Sequence, residues 1–385
     1  MTGIEKIGTG GIGPTISAFG EKRLISEFIR PLFNRENSIG GVGDDCAMLD
    51  LGDNRLLLLS TDRVPADLTA FRLGILDYRG LGRYLACLNL SDIAACGGKP
   101  QALLLNLGMP GDLRYPDFQE LCRGFGDLAA EFDCRVLGGD ITHSDALSIS
   151  ATCVGQVQAN QVLTRRGGRP GDSIFLSAPL GLTPAAFAAF LRTTPDECGL
   201  KQVEVETLRR QFTAIRPRFD LSRRLVETNA CSSCMDNTDG IGQSLSELAA
   251  ESGAAFVVDA AGLQIPPLVK TIAAATGDDP LRLAFGSGAD FSLVGTLRGA
   301  WSASDLDALG FDSPLQLIGS VEAGSGVWLR KDGVQEPLKF SGWNYFEPPA
   351  ATPSRKDLTS LSAASDAQTQ HGSHLEDGAL ILVRS

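Results

Sequence analysis

Gly41-Val-Gly-Asp-Asp-Cys-Ala-Met-Leu49 sets two adjacent aspartates in a glycine-rich turn ahead of an apolar stretch. Five other segments also place aspartate beside glycine or a small hydroxyl residue. They are Ser60-Thr-Asp62, Asn89-Leu-Ser-Asp92, Gly138-Gly-Asp140, Asp236-Asn-Thr-Asp-Gly240 and Gly286-Ser-Gly-Ala-Asp290. Taken singly, each reads as an ordinary turn, because Asp and Gly are turn residues. Taken together, with apolar runs feeding several of them, they read as carboxylates carried to one place by separate elements. Such a set binds hard divalent cations, and Mg2+ is usually held by a few carboxylates together with substrate phosphates.

Composition narrows the alternatives. A chain of 385 residues predicts two domains. At 43% hydrophobic and 21% charged residues it reads as an ordinary globular protein. No apolar run approaches the roughly 20 residues of a membrane span, and the N-terminus lacks the basic and apolar regions of a signal peptide. Nine cysteines, an odd number placed in apparent core segments, predict reduced thiols and a cytoplasmic location. A net charge of −12 argues against a nucleic-acid surface, which needs clustered Lys and Arg. An acidic protein that handles phosphates must instead use metal ions and backbone N–H groups.

Along the chain, residues 1–20 read as a Gly-rich flexible arm. Gly8, Gly10 and Gly13 match a dinucleotide fingerprint only by accident, because no strand precedes them. Leu24, Ile25, Phe28 and Ile29 predict a helix over 21–33. Buried strands are expected at 56–59, 102–107 and 134–137, and a sheet strand at 147–157. Leu81, Leu85 and Leu88 mark a helix on which Asn89 and Asp92 share a face. The turn-rich run 165–172 marks a boundary between an N-terminal domain (21–162) and a C-terminal α/β domain (163–346). Residues 173–178 open the second domain, whose signals are a helix over 242–252, a strand at 256–258 and final strands near 315–318 and 327–329. Residues 347–385 are expected to be a disordered tail. No P-loop, protein-kinase set or Ser-His-Asp arrangement is present. The lone Cys231-Ser-Ser-Cys234 lacks the second ligand pair of a structural zinc site.

Six ordered motifs carry a resemblance. Gly41–Leu49, Ser60–Asp62, Leu88-Asn-Leu-Ser-Asp-Ile-Ala-Ala-Cys-Gly97, Leu137-Gly-Gly-Asp-Ile-Thr142, Leu163-Thr-Arg-Arg-Gly-Gly-Arg-Pro-Gly-Asp172 and Asp236–Gly240 resemble those of thiamine-monophosphate kinases, within the aminoimidazole-ribonucleotide-synthetase superfamily. The similarity runs from about residue 20 to residue 346. It implies a two-domain α/β (α+β) fold whose N-terminal sheet forms a barrel across a homodimer, with ATP and Mg2+ in the cleft. It implies metal ligation by Asp44, Asp45, Ser60, Thr61, Asp62, Asp92, Asp140, Asp236 and Asp239. Gly43, Thr61, Gly138, Gly139, Arg165 and Thr238 would contact the nucleotide. Asp236 and Asp239 are the catalytic candidates, Asp239 as a general base if it is not fully committed to metal.

Departures from the family cluster on the acceptor side, where Thr69, Phe71, Ala289 and Trp343 are the candidate substrate contacts. The stretch 64–71 carries no histidine where the family has a His-Phe pair. Ala289 stands where the family has a substrate-contacting glutamate. The C-terminal Gly-aromatic-x-His-Phe is here Gly342-Trp-Asn-Tyr-Phe346. The expected activity is therefore ATP-dependent phosphoryl transfer to a small acceptor, thiamine monophosphate or, in preference to it, a different metabolite. The alternatives are an ATP-dependent dehydration or cyclisation enzyme and a non-catalytic nucleotide-binding protein.

Overall fold

The computed structural model describes residues 16, 20–33, 42–65, 68–308 and 315–339. The expected Gly-rich arm (residues 16 and 20 apart), Gly41, Trp343 and the expected tail lie outside them. The described chain forms two sheets.

The first sheet holds β1 (Ala47–Gly52), β2 (Arg55–Arg63), β3 (Lys99–Met109), β4 (Arg135–His143) and β5 (Ser148–Gln158), in the order β1-β2-β5-β3-β4. Asp53 and Asn54 take positive φ of 51° and 57° between β1 and β2. Left-handed residues at both turn positions match the right-handed twist of a hairpin. β3 and β4 run parallel, so their connection must cross over, and helix α2 (Tyr115–Glu131) lies in it. Helix α1 (Tyr78–Ala95) begins where the Asp77 side chain accepts the Gly80 N–H at 2.7 Å. α1 and α2 pack closely because each offers a glycine at the contact. A Cβ on Gly82 would meet the Leu121 carbonyl oxygen at 2.0 Å, and one on Gly124 would meet that of Arg79 at 1.9 Å.

The second sheet has seven strands, β12-β11-β8-β10-β6-β9-β7. They are β6 (Ser173–Leu176), β7 (Cys231–Asp236), β8 (Ala255–Asp259), β9 (Leu293–Leu297), β10 (Gln316–Glu322), β11 (Gly326–Lys331) and β12 (Val334–Pro337). Only β8 and β11 pair in parallel. Helices α3 (Leu182–Leu191), α4 (Gln202–Thr213), α5 (Phe219–Thr228), α6 (Ile241–Ser252) and α7 (Pro267–Thr276) accompany it. α1 contacts β7 as well as its own sheet, and α5 pins the end of α1, where the Ser222 hydroxyl donates to the Ala94 carbonyl at 2.5 Å. These contacts join the two halves beside the aspartates.

Three expectations need correction. The strand expected at 134–137 exists as β4, but it is exposed at every residue rather than buried, because it is the edge strand and the described residues lay little against it. The expected helix at 21–33 is helical in three pieces, Glu21–Arg23, a π-helical Leu24–Ile29 and Arg30–Phe33. Its apolar stripe is not buried, and Phe28 is 65% exposed. β7, β9, β12 and most helices of the second half carried no signal that was read. All nine cysteines are free, and among the described residues no helix is long and apolar enough to cross a membrane.

Candidate active site

The site starts from strand alternation. Successive side chains of β2 point to opposite faces, so Ser60 and Asp62 face α1 while Thr61 faces away. On α1 the Asn89 side chain accepts the Asp62 N–H at 3.1 Å and donates to the Leu85 carbonyl at 3.0 Å. One turn on, the Asp92 carboxylate accepts a short hydrogen bond from the Ser60 hydroxyl. Asp236 closes the other side, because it ends β7, the strand that α1 touches. Asp44 and Asp45 enter from the turn before β1.

Carboxylate oxygens of Asp45, Asp92 and Asp236 lie within 4.8 Å of one another, and those of Asp44 and Asp45 lie equally close to the Cys96 sulfur. Like charges so close in a buried site favour protonation. Burial, reinforced by Asp45, pushes the Asp44 carboxyl up to about 7. Burial with neighbouring carboxylates pushes Asp92 and Asp236 well above the usual range. Burial raises Asp45 and Asp62 as well, against the pull of nearby partners. Asp45 Oδ2 and Asp236 Oδ2 are buried without a donor in hydrogen-bonding geometry. An orphaned buried carboxylate oxygen is costly, and a hard cation supplies what these oxygens lack. This donor set fits Mg2+.

A cationic wall faces the cluster. Arg165 donates through Nε and Nη2 to Asp45 Oδ1, at 3.0 and 2.5 Å, and through Nη1 to Glu247 Oε2 at 2.5 Å. Its backbone N–H reaches Asp44 Oδ1 at 3.2 Å. Lys22 makes a short hydrogen bond to Glu247 and lies 3.3 Å from Asp239 Oδ2. Burial alone would raise Glu247, but Arg165 and Lys22 outweigh it and hold the carboxyl below its usual value. Asp239 stays raised by burial despite Lys22.

The structure therefore brings together Asp44, Asp45, Ser60, Asp62, Asp92, Asp236, Asp239 and Arg165. Gly43, with φ of 112°, lies under the Arg30 guanidinium, and Thr238 lies in the loop between the two β7-end aspartates. Two expected contributors, Thr61 and Asp140, are not brought in by their own side chains. Thr61 spends its hydroxyl on the Ala151 carbonyl at 3.1 Å, on the opposite face of β2. Asp140 pairs in register with Asn106, which pairs with Ser150, itself paired with Arg63. That puts Asp140 three strands from β2, on the face away from α1. Gly138 and Gly139 share its strand, and Gly139 must be glycine because a Cβ there would meet the Leu105 carbonyl oxygen at 1.6 Å. Of the substrate candidates, Phe71 packs edge-on against Tyr78 with ring centres 5.1 Å apart. Thr69 opens a one-turn helix. Ala289 packs against the hydrophobic core.

Sequence reading missed Glu247, Glu251, Lys22 and Arg30. The available signal was Glu247 and Glu251 four apart on the helix that follows Asp239-Gly240, which puts both on one face. Their partners lie far away in sequence and could not be paired in advance.

Residues 43–157 match the family model described as AIR synthase related protein, N-terminal domain. A thiamine-monophosphate kinase from Pyrococcus horikoshii is 27% identical over 325 residues, covering 84% of this chain and 96% of that protein. One from Escherichia coli O157:H7 is 28% identical over 338 residues, covering 86% and 100%. The structure of AaThiL complexed with AMPPCP and TMP superposes with a TM-score of 0.73 at 25% identity, covering 87% of this chain and all of that one. Converging aspartates, a shared overall fold and similarity along most of the chain agree: residues 43–157 match an AIR-synthase-related N-terminal domain, and the chain as a whole is similar to thiamine-monophosphate kinases.

Proposed function

We propose that this protein is an ATP- and Mg2+-dependent phosphotransferase that moves a γ-phosphoryl group onto a small acceptor. The observation that carries it is the set of converging carboxylates beside Arg165, with Asp45 Oδ2 and Asp236 Oδ2 left without donors. The relatives' name and the AMPPCP and TMP bound in AaThiL support the same chemistry.

Asp45, Asp62, Asp92, Asp236 and Asp239 would hold the divalent ions, with Asp44 at the margin and Ser60 fixing Asp92. Bound there, Mg2+ supplies neutralisation of the polyphosphate and of charge on the transferring group. Arg165, held by Asp45 and Glu247, presents a fixed guanidinium for phosphate oxygens. Asp239, at the rim rather than the floor, is the general-base candidate. Asp236 is too enclosed by carboxylates to serve as one.

On the acceptor side, Ala289 offers no charge and Phe71 is engaged with Tyr78. We assign a small acceptor other than thiamine monophosphate. A homodimer completes the picture. The bare face of the first sheet displays Leu49 and Leu104, and β4 exposes Val136, Leu137 and Ile141. A second copy laid there would bury them and give Asp140 and Gly138-Gly139 a place in an assembled site.

Purified protein with ATP and Mg2+, with and without thiamine monophosphate, tests this when ADP, free phosphate and phosphorylated products are followed together. ATP turnover with a small acceptor supports phosphoryl transfer. Efficient formation of thiamine diphosphate rejects the changed acceptor alone. ADP and phosphate with no phosphorylated product point to the dehydration alternative.

A further inference from the structure

We infer that Lys22 is a further residue of the nucleotide site: its ammonium, carried to the carboxylate cluster by the N-terminal helical segment, contacts the polyphosphate of a bound nucleoside triphosphate. This rests on the phosphotransferase assignment above.

The segment 21–33 buries none of its residues, and Phe28, Leu32 and Phe33 stay exposed. Charge holds it instead. Lys22 engages Glu247 and Asp239, and Arg30 Nη2 donates to Glu251 Oε1 at 2.5 Å. The Arg30 guanidinium also covers the Gly43 turn, where a Cβ would meet it at 1.7 Å. Both glutamates lie on α6, so the segment is stapled across the rim of the site. Its middle is π-helical, a form that recurs at functional sites.

The placement of Lys22 exceeds what a staple needs. Glu247 holds Lys22 on one oxygen and Arg165 on the other, which sets two cations side by side. Asp239, the other partner of Lys22, belongs to the proposed cation-binding set. A divalent ion on Asp239 would repel an ammonium 3.3 Å away. The polyphosphate that arrives with that ion offers a replacement anion. A lysine on a flexible four-carbon stem, with its side chain 45% exposed, can turn to it without moving the backbone.

The test is equilibrium binding of AMPPCP with Mg2+, and of AMP, by calorimetry to the full chain and to K22M, K22R and R30M. We expect K22M to bind AMPPCP about tenfold to a hundredfold more weakly, with AMP affinity unchanged, and K22R to recover most of the loss. R30M, which loosens the staple without removing the site cation, should weaken both nucleotides alike or neither. If K22M binds AMPPCP as the parent does, the inference is overturned while the phosphotransferase assignment stands. Equal weakening for AMP and AMPPCP in K22M also overturns it, because the lysine then acts only by placing the segment. A parent protein that binds no AMPPCP overturns both.

Discussion

The two sheets differ in how completely the chain covers them. In the second, β6 and β9 are buried at every residue, and Phe175, Phe256 and Phe291 pack fully inside. In the first, α1 and α2 cover one face while, among the described residues, the other stays open. An antiparallel sheet tolerates a solvated face when that face is polar. Here it carries Leu49, Leu104 and the exposed strand β4. The second half can close its own core, whereas the first leaves a surface suited to another chain. The carboxylate cluster spans both, with Asp236 on the complete sheet and Asp62 and Asp92 on the covered side of the incomplete one.

The sharpest way to break this contrast is at the centre of the second sheet. Phe256→Ala should destabilise the protein by about 3–5 kcal/mol, read by denaturant unfolding. A loss under about 1 kcal/mol would mean that sheet is no more self-sufficient than the first.

The junction responds differently. Asp236→Asn should lower turnover by about 10^2–10^3-fold, yet raise the melting temperature of the metal-free protein, because it removes one of several crowded negative charges. A variant that lost both activity and stability would recast Asp236 as a structural residue.

The next effect is a shift with pH. Asp44 is raised from 3.8 to about 7 in the folded chain. A raised carboxyl stabilises the fold fully below its unfolded value, and this is lost as pH rises through about 7. The metal-free melting temperature should therefore fall between pH 6 and pH 8.5. Added Mg2+ should restore more at pH 8.5, where protons no longer compete. Equal Mg2+ shifts at both pH values would count against cation binding at these carboxylates.

The smallest effect on the fold comes from the open face. Ile141→Lys, at a position 63% exposed, should change protomer stability by no more than about 0.5 kcal/mol. Light scattering should show it shifting dimer towards monomer. An unchanged assembly state would place the dimer contact elsewhere, or remove it.

The sequence by itself determined the chemistry available and much of the first half. Turn-forming glycines beside aspartates marked the carboxylate carriers, an apolar run marked β2, partial alternation marked β5, and a three-residue spacing put Asn89 and Asp92 on one face of α1. These signals are local, set by backbone geometry over a few residues. Tertiary structure alone decided which carriers converge. Thr61 is turned away by strand alternation, and Asp140 is separated from its expected companions because β5 and β3 lie between β2 and β4. Glu247 enters because α6 lies against the Arg165 loop, and Lys22 reaches Asp239 across 217 residues of chain. Burial of β4 was misjudged for the same reason. An apolar run shows that a strand prefers cover, and only the packing of the whole chain, or of two chains, decides whether cover is there.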